Sequence, residues 1–119
     1  MKREDFVEQY NDTSGYIDKE WMNKVLVDSI EANSVDGNPR GYRNRIIVME
    51  ELAELTQEIS KNLRDTGNMM DLLQELADVQ LGIYYIQNIC GISDSELHKA
   101  MNVKMNRVEK KLQKHGQHK

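Results

Sequence analysis

Apolar residues recur along this chain at the three- and four-residue intervals of α-helices, and turn-forming residues mark the breaks between runs. Trp21, Val25 and Ile30 predict a first helix from about Ile17 to Ala32. The segment Asn33 to Gly41 concentrates turn formers and holds the only proline, Pro39, so it reads as a surface loop. Val48, Leu52, Leu55, Ile59 and Leu63 make one apolar arc on a second helix from about Tyr42 to Arg64, with Gly67 as its stop. Asn68, followed by Asp71, caps a third helix that runs through Leu72, Leu76, Val79 and Ile86 to Cys90, and Gly91 ends it. Ser93-Asp94-Ser95-Glu96 has capping-box spacing and opens a fourth helix on which Leu97, Met101, Val108 and Leu112 share a face. Residues 1–15 are polar and predict a loose lead-in with room for one short turn; residues 113–119 predict a frayed end. The expected architecture is all-α and four-helix bundle-like, a single domain over 1–119. Its centre is an antiparallel hairpin of the second and third helices, and it assembles as an oligomer.

Composition narrows the class. One proline and few aromatics in 119 residues disfavour a β-sandwich or barrel. Apolar stretches are broken within a few residues by acids or glutamine, far short of the ~20 needed to span a bilayer, and Met1-Lys2-Arg3-Glu4-Asp5 starts no export signal. With Cys90 as the single cysteine, no internal disulfide or Cys-based zinc site is possible, and the expectation is a cytoplasmic protein with no membrane partner. The net charge of −4 argues against a general nucleic-acid coat. That value averages two poles: residues 1–96 carry nine basic and nineteen acidic side chains, and residues 97–119 carry seven basic and one acidic.

Two acid pairs stand out from this background. Asp5/Glu8 and Asp28/Glu31 sit in polar surroundings and read as solvated surface, whereas Glu51/Glu54 borders the apolar arc of the second helix and Glu75/Asp78 lies between apolar flanks on the third. On the third helix Asp71, Gln74, Glu75, Asp78, Gly82 and Tyr85 form one polar stripe between apolar flanks. A carboxylate buried there without compensation costs several kcal/mol or takes up a proton. In an antiparallel hairpin Glu51, Glu54, Glu75 and Asp78 converge midway along the pair. Two readings stand, a solvated acidic face and a site for a hard divalent cation, Mg²⁺ or Mn²⁺, since no His or Cys spacing favours zinc.

The fourth helix offers cations. Lys104 interrupts its apolar seam and Arg107 flanks it. Lys104 either snorkels to water or pairs with a core acid, and next to a metal held by acids the two side chains would instead bind phosphate oxygens.

Glu50-Glu51-Leu52-Ala53-Glu54-Leu55, Glu75-Leu76-Ala77-Asp78-Val79 and Asn102-Val103-Lys104-Met105-Asn106-Arg107 together resemble the E-x-x-E, E-x-x-D and N-x-K-x-x-R series of the MazG-like nucleotide pyrophosphohydrolases. The resemblance covers about residues 42–112. It implies an all-α homodimer or homotetramer that binds Mg²⁺ and cuts a nucleoside triphosphate between its α- and β-phosphates, giving a monophosphate and pyrophosphate in nucleotide-pool house-cleaning. Carried over, Glu51, Glu54, Glu75 and Asp78 are metal ligands, Lys104 and Arg107 hold phosphates, and Glu50 is a candidate to orient the attacking water. A narrower diphosphohydrolase for dUTP or phosphoribosyl-ATP falls within the same resemblance. Outside it stands a non-enzymatic helical adaptor, for which the apolar third helix serves assembly; self-association is expected under both.

Other residues carry weaker signals. Arg40, Arg43 and Arg45 read as a solvated basic cluster or an anion site at a helix start. Trp21 reads as a core anchor or a base-stacking platform, and Tyr85 as a core residue or a neighbour of the acids. His98, His115 and His118 show no mutual metal spacing.

Overall fold

The structure, a computed structural model, describes residues 1–34 and 37–116. Part of the expected loop, residues 35–36, and the last three positions, including His118, lie outside the described residues, as does the end of the predicted frayed segment. Five α-helices and no strand occur among the described residues: α1 (Arg3–Asn11), α2 (Lys19–Ala32), α3 (Tyr42–Leu63), α4 (Met69–Cys90) and α5 (Asp94–Gly116).

The helix ends follow from local chemistry. Asp18 Oδ1 accepts the N–H groups of Glu20 and Trp21 at 3.0 and 3.1 Å, which starts α2 at Lys19, two residues later than the apolar pattern suggested. After α3 the left-handed position belongs to Asp65 (φ 55°), before Gly67 is reached. Asn68 Oδ1 accepts the Met70 N–H at 2.9 Å and caps α4. Gly91 (φ 69°) closes it while the Ile92 N–H donates to the Gln87 carbonyl. The capping box of α5 is formed: Ser93 Oγ accepts the Glu96 N–H at 3.1 Å, and Glu96 Oε1 accepts the Ser93 N–H at 3.1 Å.

α3 and α4 form the hairpin, and α4 is the central helix, packed also by α2 and α1. Met22, Leu26, Ile30, Val48 and Val79 are its buried apolar residues. Gly82 lets the two long helices approach: a Cβ placed there would lie 3.2 Å from both Val48 methyl groups. No helix is long and apolar enough among the described residues to cross a membrane.

Three expectations are corrected. The predicted loose lead-in is the helix α1, which packs on α4 and gives Asp71 a partner, Arg3 Nη2 lying 2.6 Å from Asp71 Oδ2. The inward face of α2 is Met22, Leu26 and Ile30, while Trp21 is 61 % exposed; the apolar positions at 21, 25 and 30 concealed a cleaner i, i+4, i+8 set. The last helix does not complete a four-helix bundle. α5 leaves the body, and of its side chains only Leu97 is half-buried, with Met101, Val108 and Leu112 exposed.

Candidate metal centre

Helical spacing of three puts Glu51 and Glu54 on one side of α3, and Glu75 and Asp78 on the facing side of α4. The hairpin brings them together. One carboxylate oxygen from each of Glu51, Glu54 and Glu75 falls within 4.8 Å of the others, and Asp78 lies close enough to act on the Glu51 carboxyl.

The cluster is electrostatically strained. Burial, followed by the charge and hydrogen bond of Asp78 and the charges of Glu54 and Glu75, pushes the Glu51 carboxyl up to about 7. Burial and the neighbouring Glu54 and Asp78 also raise Glu75 above the usual carboxylate range. Glu51 Oε2 and Glu75 Oε2 are buried and have no hydrogen-bond partner among the described residues. Cations nearby are spent elsewhere on the hairpin: Lys61 pairs with Glu58 at 3.2 Å and Arg3 with Asp71. The ion pairs of Arg3, Arg40 and Lys61 go to Asp71, Glu31 and Glu58 rather than to Glu51, Glu54, Glu75 or Asp78. An all-oxygen donor set with two orphaned buried oxygens fits a hard divalent ion such as Mg²⁺ or Mn²⁺.

The remaining sequence candidates lie apart. Glu50 is exposed on α3, outside the converging oxygens. Lys104 and Arg107 are exposed on α5, and within one chain they do not meet the acids because α5 does not pack along α3 or α4. Arg40 pairs with Glu31 at 2.7 Å, Arg45 donates to the carbonyls of Arg40 and Gly41, and Arg43 likewise has a partner, so the arginines are engaged by the protein itself. His98 and His115 are exposed.

One feature escaped the sequence reading. A half-open cavity of about 170 Å³ is lined by Ser29 and Asn33 of the α2 end, Asn44, Val48 and Glu51 of α3, and Asp78, Gly82 and Tyr85 of α4. Asn44 is only 4 % exposed, and its Oδ1 has no hydrogen-bond partner among the described residues. Tyr85, on the acidic stripe, donates its hydroxyl to Ser29 Oγ at 3.1 Å. The available signal was Asn44 itself, a polar residue one turn before Val48 on the packing arc of α3.

Comparison of the chain with protein-family models, with curated proteins and with solved structures found no match.

Proposed function

We propose that the chain is a cytoplasmic, Mg²⁺-dependent nucleoside triphosphate pyrophosphohydrolase with a MazG-type fold, converting a (deoxy)nucleoside triphosphate to the monophosphate and pyrophosphate. The observation that supports this best is the convergence of Glu51, Glu54 and Glu75, with Asp78 close beside Glu51, on facing helices of one hairpin. In this account those four residues hold Mg²⁺, with Mn²⁺ as a substitute. When bound, the ion neutralises phosphate oxygens and makes the α-phosphorus more electrophilic. One carboxylate would take a proton from an oriented water, whose oxygen bonds to the α-phosphorus while the bond to the α,β-bridging oxygen breaks. Pyrophosphate departs with that electron pair. A homodimer or homotetramer is part of the proposal: the exposed apolar side of α5 calls for a covering surface, and Lys104 and Arg107 then hold phosphates across a subunit contact.

Incubation with a panel of nucleoside triphosphates and Mg²⁺ tests the proposal. It expects monophosphate and pyrophosphate, and loss of turnover in Glu54→Ala and Asp78→Ala proteins that keep their helical content. Release of orthophosphate alone, or no turnover of any triphosphate, contradicts it. The unpartnered side of α5 also fits a non-enzymatic assembly module, which would gain no thermal stability from Mg²⁺ or Mn²⁺.

A further inference from the structure

We propose that Gln87 is a positioning residue: its buried carboxamide fixes the direction in which α5 leaves α4, and so sets where Lys104 and Arg107 stand across the subunit contact. The inference rests on the proposed function for what those two cations hold, and goes beyond it in naming what aims them.

The bend between α4 and α5 is closed twice. The main chain closes it once: the N–H groups of Gly91 and Ile92 both donate to the Gln87 carbonyl, with Gly91 at φ 69°. Those bonds use backbone atoms alone, so they form whatever side chain stands at position 87. The Gln87 side chain closes it again, Nε2 donating to Asp94 Oδ1 at 3.0 Å and to the Ile92 carbonyl at 3.4 Å. Asp94 opens α5, so the amide ties the last turn of α4 directly to the first turn of the next helix.

Packing contributes less at this point. An open cavity of about 590 Å³ lies at the bend, lined by Lys19, Met22 and Asn23 of α2 and by Gln87, Ile92 and Asp94. Beyond the bend, only Leu97 of the α5 side chains is half-buried. An error in direction therefore grows along the helix. At a rise of about 1.5 Å per residue, Arg107 stands about 20 Å beyond Asp94, and a tilt of about 15° displaces it by about 5 Å, more than the reach of a hydrogen bond.

The amide carries a cost. Gln87 is 7 % exposed, and with Nε2 committed to two acceptors its Oε1 is buried without a partner among the described residues. An apolar side chain of similar size leaves no such atom unsatisfied. Stability alone favours leucine there, and the amide gives a defined bend in exchange.

The test is pulsed electron–electron spectroscopy on the full chain, with spin labels at Ser60→Cys on α3 and Lys110→Cys on α5 in a Cys90→Ser background, diluted into unlabelled chain. One narrow distance is expected with Gln87 in place. Gln87→Leu and Asp94→Ala should each at least double its width, and the double variant should add nothing further. Asp94→Asn, which keeps the acceptor oxygen, should match the parent. The thermal midpoint of Gln87→Leu should equal or exceed that of wild type. With Mg²⁺ and a nucleoside triphosphate, KM should rise at least fivefold in Gln87→Leu and Asp94→Ala and stay at the wild-type value in Asp94→Asn, whereas partial unfolding would lower kcat and leave KM alone. An unchanged width in both Gln87→Leu and Asp94→Ala would overturn the clasp and leave pyrophosphohydrolysis standing. A doubled width with unchanged KM would overturn the link from the bend to the two cations. Absence of turnover in the wild type would overturn the proposed function instead, and the distances would still decide the clasp.

Discussion

Val48 on α3 and Gly82 on α4 set the spacing of the hairpin at the acid cluster. Val48 lies one turn before Glu51, Gly82 one turn after Asp78, and a Cβ at position 82 would meet both Val48 methyl groups at 3.2 Å. Gly82→Val should therefore force the helices apart, at a cost of about 1–3 kcal/mol from overpacking. Urea denaturation measures that loss, and Mg²⁺-dependent stabilisation should shrink with it as the donor oxygens separate. A variant with wild-type stability and metal response would show that this contact does not set the geometry.

Loss of the Glu51 proton should make the metal-free protein less stable as pH rises. Its carboxyl is raised to about 7 in the folded chain, against an unfolded value of about 4.3. The stabilising contribution of the neutral form is thus complete below the unfolded value and is lost as pH climbs through the folded one. Glu75, also raised, acts in the same direction. Asp71 and Glu96 are lowered by Arg3 and by the Ser93 cap respectively; their contributions are present above the unfolded value and disappear in more acidic solution. Denaturation midpoints in EDTA should fall between about pH 4.5 and 7 and level off above. Glu51→Gln should flatten that fall and be more stable than wild type at pH 8 without metal, yet respond less to Mg²⁺. A wild-type midpoint that rises across this window would contradict the strained cluster.

Removing Arg3 should be felt at Asp71. The guanidinium, hydrogen-bonded to both carboxylate oxygens at 3.0 and 2.6 Å, holds that acid below its usual range. In Arg3→Ala the Asp71 titration followed by NMR should move up toward the ordinary carboxylate value, and the amides of α1 should exchange faster as its tie to α4 is cut. An unchanged titration would dissociate α1 from the stripe.

Self-association should depend on α5. Val108 is 47 % exposed on a helix whose apolar side beyond Leu97 lies exposed. Val108→Asp should leave helical content intact, shift sedimentation toward the monomer, and lower turnover by at least tenfold, because Lys104 and Arg107 are proposed to act across the contact. Full activity in a monomeric variant would remove those cations from the account.

Helical periodicity and caps made most of the fold legible. Asn68, Gly91 and the Ser93–Glu96 box mark boundaries by hydrogen bonds that are local in sequence, and α3 was placed to within a residue. The pairing of Glu51 with Glu54, and of Glu75 with Asp78, was equally visible because a three-residue spacing fixes a helix face. What escaped depends on distant partners. α1 is too polar to announce itself, and its tertiary tie is an ion pair across 68 positions. Trp21 competed with Met22 for the inward face of α2, and only the packing of α2 on α4 decides between them. The bundle position assigned to α5 assumed that an apolar stripe must pack within its own chain, which an unpartnered helix does not obey. Asn44 was hidden because its burial comes from three helices meeting around a cavity.

The most direct measurement is ³¹P NMR of the products formed from a nucleoside triphosphate by the full chain in ¹⁸O-labelled water, with Mg²⁺ and with EDTA. The account predicts monophosphate and pyrophosphate in the Mg²⁺ sample, with the ¹⁸O-induced shift on the monophosphate, and no reaction in EDTA. Label in pyrophosphate, orthophosphate as the first product, or equal turnover in EDTA would contradict it.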